Sequence, residues 1–289
     1  MRMTRREFGG LAAASLASAM FPRAGAAAGP LSDMPTGAID AHNHIVGPPS
    51  KYPMAPNRTY TPPEASVAQL RALRTQLGVA RNVIVQPSFY GFDNSCLIDA
   101  LRELGASARG IAVVPVDVTD AELRRLASRG VTGVRLNLGT FGIRDPKAAA
   151  DAAHAFDTRL VPLGWHIQIN TDLAVIDGLA PMIADLKVPV VFDHVGNADA
   201  ALGVDQRGFG ALVALVKARN TYVKLSLPYN LSKRADWADV VPLAKALIAA
   251  GPDRMLWGTN WPHPGRARSD INVTTVSYTH LTLPTNREV

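Results

Sequence analysis

Cross-links, polar tracts and long apolar runs are all scarce in this chain. A single cysteine, Cys96, stands among 289 residues. One thiol closes no internal disulfide, and a lone cysteine is more often core filler than nucleophile. No long polar tract interrupts a composition that is 47% apolar and 19% charged, so the chain reads as an enzyme-sized globular body with an ordinary core. The net charge is +6, but Arg2, Arg5, Arg6 and Arg23 against Glu7 fall within the first 28 residues, so the remainder carries +3. That balance does not indicate a nucleic-acid partner. The apolar stretch from Phe8 to Met20 is shorter than the roughly 20 residues a membrane span needs, so no stable membrane anchor is expected.

The same stretch has another reading. In "TRREFGGLAAASLASAM" the pair Arg5-Arg6 precedes the apolar segment, and "RAGAAAG" supplies small-residue cleavage sites near Ala26 or Ala28. The pattern resembles a twin-arginine export signal over residues 1–28, which implies a periplasmic or otherwise exported protein. At the other end, "SYTHLTLPTNREV" has no helical period, and residues 277–289 read as a tail foreign to the domain. The domain itself is expected over 29–276.

Within those limits, short β-branched runs alternate with Ala/Leu-rich segments of helical length. Strands are predicted over 37–45, 81–87, 109–115, 131–138, 166–170, 188–195, 221–226 and 254–261. Helices are predicted over 64–77, 94–105, 119–129, 146–161, 174–185, 208–219 and 236–250. Such alternation implies βαβ units and a parallel sheet, and eight repeats in about 230 residues imply an α/β fold, the (β/α)8 TIM barrel. The competing doubly wound sheet usually carries a glycine-rich first turn. Here the first turn is "HNHIVGPPSKYP", with no G-x-G-x-x-G. An eighth helix would fall where the foreign tail begins, so the barrel is expected to lack its last helix.

In that fold the chemistry gathers at the C-terminal strand ends. Strand one brings His42 and His44 there from "IDAHNHIV", where a two-residue period puts Asp40 on the same face. Strand four brings Arg135 and Asn137, strand six brings His194 in "FDHVGN", and strand eight brings Asn260 and His263 in "WGTNWPHP". Each has a bland reading as a structural or solvated side chain, but their joint fall at one rim favours a site. Lys224, mid-strand in the interior, needs a partner, for which Asp40 or a bound anion is the candidate. Trp257 and Trp261 are expected to pack against helices, and Arg144 to supplement Arg135 or meet solvent.

"DAHNH", "VQPSFYGFDNS", "GVRLNL", "FDHVG", "VKLS" and "WGTNWPHP", in that order over residues 37–272, resemble the amidohydrolase superfamily. The branch is that of 2-pyrone-4,6-dicarboxylate lactonase and sugar-lactone hydrolases, with a barrel of the metallo-dependent hydrolase type. The resemblance implies a hydrolase that opens a carboxylated lactone or related ester by attack of water on a carbonyl polarised by histidine. His42, His44 and His194 would bind one divalent metal such as Zn²⁺, or act on substrate directly with no metal required. Arg135 would anchor a substrate carboxylate, a task suited to its planar fork. Tyr60, Ser88 and Tyr90 would line the pocket, as would Asn170 and Asn230, which stand where the dicarboxylate lactonase is expected to have a tyrosine and an arginine. Those two amides favour a monoanionic or neutral lactone.

The departure from the pattern is Asn260, in the place of an aspartate expected to take a proton from water. An amide cannot serve as that base. The base is then His194 or His263, or a metal lowers the pKa of the water. No bridging Lys or Glu ends strand four, and the Arg135 guanidinium opposes a cation, so a dinuclear centre is not expected. Two other activities fit the same residues: a metal-dependent non-oxidative decarboxylase, and an exported binding protein in which the loss of the base weakened catalysis. Nothing in the sequence sets the oligomeric state.

Overall fold

A computed structural model describes residues 34–218 and 220–265. The predicted signal segment, the expected eighth helix and the tail lie outside them. Eight strands run in the order β1 (Ile39–Asn43), β2 (Arg81–Val85), β3 (Ala108–Ala112), β4 (Val131–Leu136), β5 (His166–Ile169), β6 (Val190–Phe192), β7 (Thr221–Leu225) and β8 (Met255–Trp257). Each pairs in parallel with the next, so the sheet order is the chain order. The helices between them are α1 (Val67–Leu77), α2 (Ser95–Leu104), α3 (Asp120–Ala127), α4 (Pro146–Leu160), α5 (Leu173–Leu179), α6 (Phe209–Ala218) and α7 (Val240–Ala250).

Local chemistry sets most of the boundaries. Ser66 and Gln69 form a reciprocal capping box at the start of α1, so the helix begins later than its apolar period suggests. Asp145 accepts from the Lys147 N–H, and Pro146 takes the first position of α4, where its missing N–H costs nothing. The helix predicted over 174–185 gives way after Leu179 to a 3₁₀ turn over Ala180–Ile183, because Pro181 cannot continue the α-helical ladder. The helix predicted from 236 starts only at Val240, since Trp237 adopts a left-handed φ of 51°.

The ring closes between β1 and β8 through the segments that follow them. His44 N–H donates to the Trp261 carbonyl at 2.8 Å, and Asn260 N–H to the His42 carbonyl at 2.9 Å. Beneath them Asp40 accepts from the Thr259 N–H (2.9 Å), the Thr259 hydroxyl (2.6 Å), Asn43 Nδ2 (2.6 Å) and the His42 N–H (3.2 Å). Asp40 is therefore a buckle across the seam, and its expected pairing with Lys224 is not formed. Gly258 has to be glycine for the same closure: a Cβ there would stand 2.7 Å from His42 Cβ and 2.9 Å from its backbone nitrogen.

Apolar packing is divided unevenly. The layer between sheet and helices holds the bulk of the core, including Ile84, Phe156, Ile167, Leu179 and Phe192, and Trp257 and Trp261 pack there as expected. Inside the ring, Ala41, Val191 and Leu256, with Val83 and Tyr222 against them, make only a thin floor. Above that floor the barrel is filled by buried polar groups: Gln168, Lys224, Asp193, Arg135 and His42. Buried charges must be paired to persist. How they are paired is the structure of the site.

Candidate active site

Asp193 lies at the centre, just past β6. The chain leaves that strand through left-handed conformations at His194 (φ 51°), Val195 (55°) and Gly196 (64°), which turns Asp193 and His194 together into the barrel. Asp193 Oδ2 accepts from Arg135 Nε (2.9 Å), Arg135 Nη2 (2.9 Å) and Gln168 Nε2 (3.0 Å). Its Oδ1 lies 3.3 Å from His42 Nδ1 and 3.7 Å from Lys224 Nζ. Burial alone would raise this carboxyl; Arg135, then His42 and Lys224, outweigh it and hold it well below the ordinary carboxylate range. Lys224 donates to Gln168 Oε1 at 2.6 Å and reaches His42 Nδ1 at 3.3 Å. Burial lowers its ammonium to about 8, against the pull of Asp193.

The imidazoles sit in one cluster. His42 and His194 have ring centroids 4.7 Å apart, His42 and His44 4.9 Å. Burial, with Lys224 adding to it, pushes His42 well below its usual range. Burial and then Arg135 push His44 to about 4. Burial outweighs Asp193 at His194, and with Arg135 and Lys224 pushes it to about 3. All three are neutral at pH 7.

Neutral rings impose directions on the hydrogen bonds. His44 Nδ1–H donates to the Val85 carbonyl (2.8 Å), which leaves a lone pair on Nε2. His42 Nε2, 3.3 Å away, supplies the N–H that faces it, so His42 Nδ1 carries the lone pair that the Lys224 ammonium meets. Asn260 stands 3.2 Å from His44 Nε2 and 3.0 Å from the Tyr229 hydroxyl. Asn260 Nδ2 donates to the Tyr229 oxygen, and Asn260 Oδ1 is the atom that lies against His44 Nε2. His263 Nδ1, 2.8 Å from the Tyr229 oxygen, completes the row.

Above the cluster opens a cavity of about 420 Å³. His44, Tyr60, Ser88, Arg135, Asn170, His194, Asn230 and Asn260 all line it, as the sequence predicted, and Arg144 is there with Asp172 and Asn197. Three predicted residues are placed elsewhere. His42 is wholly buried and does not line the cavity. Tyr90 is off the wall: it packs against Phe89, and its hydroxyl accepts from the Gly47 N–H at 3.1 Å. His263 sits behind Tyr229, buried at 2% exposure. Arg144 neither joins Arg135 nor stands alone, since Asp172 pairs with it at 2.6 Å.

The sequence reading overlooked Asp193, Gln168, Ser226 and Tyr229. Asp193 had a visible signal, as the acid beside His194 in "FDHVGN". Ser226, 2.7 Å from His194 Nδ1, had only its place at the end of "VKLS". On the wall, Asn170 donates to Asn137 Oδ1 (2.8 Å) and accepts from Asn197 Nδ2 (3.0 Å), a ladder of amides.

Residues 39–270 match the amidohydrolase family. The chain belongs to that family. It is 40% identical over 246 residues to the 2-pyrone-4,6-dicarboxylate hydrolase of Comamonas testosteroni, a match that covers 81% of this chain and 80% of that protein. It is 34% identical over 237 residues to the 4-sulfomuconolactone hydrolase of Hydrogenophaga intermedia, covering 80% and 77%. Among solved structures, a probable 2-pyrone-4,6-dicarboxylic acid hydrolase from Acinetobacter baumannii with citric acid bound superposes with a TM-score of 0.76 at 25% identity, covering 85% of this chain and 92% of that one. The shared architecture is the amidohydrolase (β/α)8 barrel.

Members of the amidohydrolase family often use a divalent metal, and candidate donors for one are present. His42, Asp193 and His194 each offer a ligand atom, all within 4.8 Å of one another. This is not the three-imidazole set expected from sequence, because Val85 and Asn260 orient His44 toward His42 instead. The surroundings do not fit a cation. Asp193 Oδ2 is taken by Arg135 and Gln168, and both His42 nitrogens face Lys224 or His44. Two like unit charges about 4 Å apart repel by about 4 kcal/mol at an effective dielectric near 20, and a divalent ion beside the Lys224 ammonium doubles that.

Proposed function

We propose that this amidohydrolase hydrolyses a lactone or related cyclic ester that carries a single carboxylate. One observation carries the reading: the cavity presents one guanidinium edge, Arg135 Nη1, that no protein group among the described residues occupies. The other cation on its wall, Arg144, is paired with Asp172, and the imidazoles that line it, His44 and His194, are neutral. A single such edge matches one anionic group and leaves a second without a partner. Arg135 supplies the contact: Nε and Nη2 are held by Asp193, Nη1 has no protein partner among the described residues, and the side chain lines the cavity. The amides and hydroxyls of the wall offer paired donors and acceptors to ring oxygens and hydroxyl groups.

In this reading water attacks the lactone carbonyl carbon, the ring C–O bond breaks, and the water proton passes to His194 and on to the departing alkoxide. His194 is the cavity-facing imidazole free for that task. Its Nδ1–H donates to Ser226 Oγ, which leaves the Nε2 lone pair for water. His263 is excluded by its place behind Tyr229, and Asn260 by its chemistry. A bound carboxylate raises the pKa of His194, toward the range in which a base works best.

The test compares lactones bearing one and two carboxylates by the loss of ring absorbance or by proton release. The monoanion should be preferred. Arg135→Lys, which keeps the charge that balances Asp193, should raise KM about 10- to 100-fold, matching about 1.5–3 kcal/mol for a charge-assisted contact. Preference for the dianion, or failure to open any carboxylated lactone, would refute the reading. Asn260 supports a second one, an exported binding protein that keeps the pocket without turnover; it predicts tight ligand binding and no hydrolysis even in Asn260→Asp. Export itself is inferred from Arg5-Arg6 and the apolar segment after them, and cell fractionation of an Arg5→Lys/Arg6→Lys variant should show loss from the periplasm.

A further inference from the structure

We propose that the Lys224 ammonium holds the electrostatic place that a divalent ion takes in a metal-dependent site of this kind, and that removing its charge turns the His42–Asp193–His194 cluster into a metal site. The geometry points to this from two sides. Three donor atoms, the number in a mononuclear catalytic site, are gathered within 4.8 Å, and one of the three residues, His194, lines the cavity, the side from which a fourth ligand would come. What closes the site is one side chain from β7. Lys224 Nζ stands 3.3 Å from His42 Nδ1 and 3.7 Å from Asp193 Oδ1, the two atoms between which an ion would sit. Gln168 Oε1 holds it there at 2.6 Å.

Lys224 also fixes the direction of the hydrogen bonds that disarm the imidazoles. Its N–H on His42 Nδ1 forces the proton of that ring onto Nε2, where it is spent on His44. His42 is left with no free lone pair. Without Lys224, the ring proton can stay on Nε2 against His44, and the Nδ1 lone pair, 3.3 Å from Asp193 Oδ1, is released toward an ion that the two atoms would share. Lys224 is thus a positioning residue, acting through His42 and Asp193. The claim concerns ion selectivity and does not depend on which ester is cleaved.

The experiment measures zinc directly, by elemental analysis after incubation with zinc chloride and desalting, and by titration calorimetry. Wild-type protein should retain essentially none. Lys224→Met, of similar length and uncharged, should retain about one zinc per chain and bind it about a hundredfold more tightly or better. Lys224→Arg keeps the charge and should stay free of zinc, and His42→Ala in the Lys224→Met background should lose the gain. Cobalt(II) in place of zinc should give the visible absorption of a tetrahedral site only in Lys224→Met. If Lys224→Met does not fold, Lys224→Gln serves in its place. Wild-type protein that binds one zinc tightly and loses it in Asp193→Asn would overturn the proposal, as would folded Lys224→Met or Lys224→Gln without zinc.

Discussion

Acid should unfold this protein at a pH at which most globular domains are still intact. His42, His44 and His194 are buried and neutral, with folded pKa values pushed below 6.5, to about 4 for His44 and about 3 for His194. In the unfolded chain each titrates near 6.5. Between those values the unfolded state binds more protons than the folded state, so the stability they contribute is present above pH 6.5 and is lost as pH falls below it. From pH 7 to 5.5 each histidine costs about 1.3 kcal/mol, and the three together about 4 kcal/mol. That is a large part of the 5–15 kcal/mol typical of a whole domain. Lys224, lowered to about 8, acts with the same sign in a higher window: its contribution rises as pH rises through 8 toward 10.5, so it does not change in the acid range. Urea unfolding followed by tryptophan fluorescence at pH 7.0, 6.5, 6.0 and 5.5 would measure the effect. The three imidazoles alone should lower the midpoint by roughly 1.5 M for an m-value of about 2–3 kcal/mol/M. His166, lowered to about 4 by burial and then by Lys224, adds a loss similar to each of theirs in the same window, so His194→Gln should reduce the total by about a quarter. A midpoint constant across this range would refute the assignment of buried neutral imidazoles.

Other perturbations separate the roles of neighbouring groups. Asp193→Asn removes the carboxylate that pairs with Arg135 and lies 3.7 Å from Lys224, and should destabilise the fold by about 3–5 kcal/mol, a fall of about 10 °C in Tm by calorimetry. Asn260→Asp places a carboxylate against His44 and Tyr229; if the protein is a hydrolase slowed by the amide, kcat on a carboxylated lactone should rise at least about tenfold, within the range typical of a positioned base. His194→Ala should abolish turnover while ligand binding, measured by calorimetry, persists through Arg135.

The comparison of sequence with structure is instructive where it fails. Strand and helix order were legible because alternation of β-branched and Ala/Leu-rich segments is a local property, and so was the convergence of His44, Arg135, His194 and Asn260, which follows from their places at strand ends. Tyr90 was misplaced because "SFYG" does not reveal which way a short turn aims its rings: Ser88 reaches the cavity and Tyr90 reaches the Gly47 backbone. Asp40 was one of two candidates, with a bound anion, for the partner that a lysine in the barrel interior needs. The ring closure placed Thr259 closer, and four donors from the seam satisfied the carboxylate there.

What the sequence determined by itself was the barrel, the ends of its strands and the chemical character of the rim, since each depends on residues near one another in the chain. Charge balance was decided only in three dimensions. Arg135, Lys224 and His42 come from three strands and Asp193 from just past a fourth, and their protonation depends on mutual distances of about 3–4 Å inside a medium that excludes water. No pattern along the chain encodes those distances, and they determine whether the pocket accepts a metal, a monoanion or a dianion.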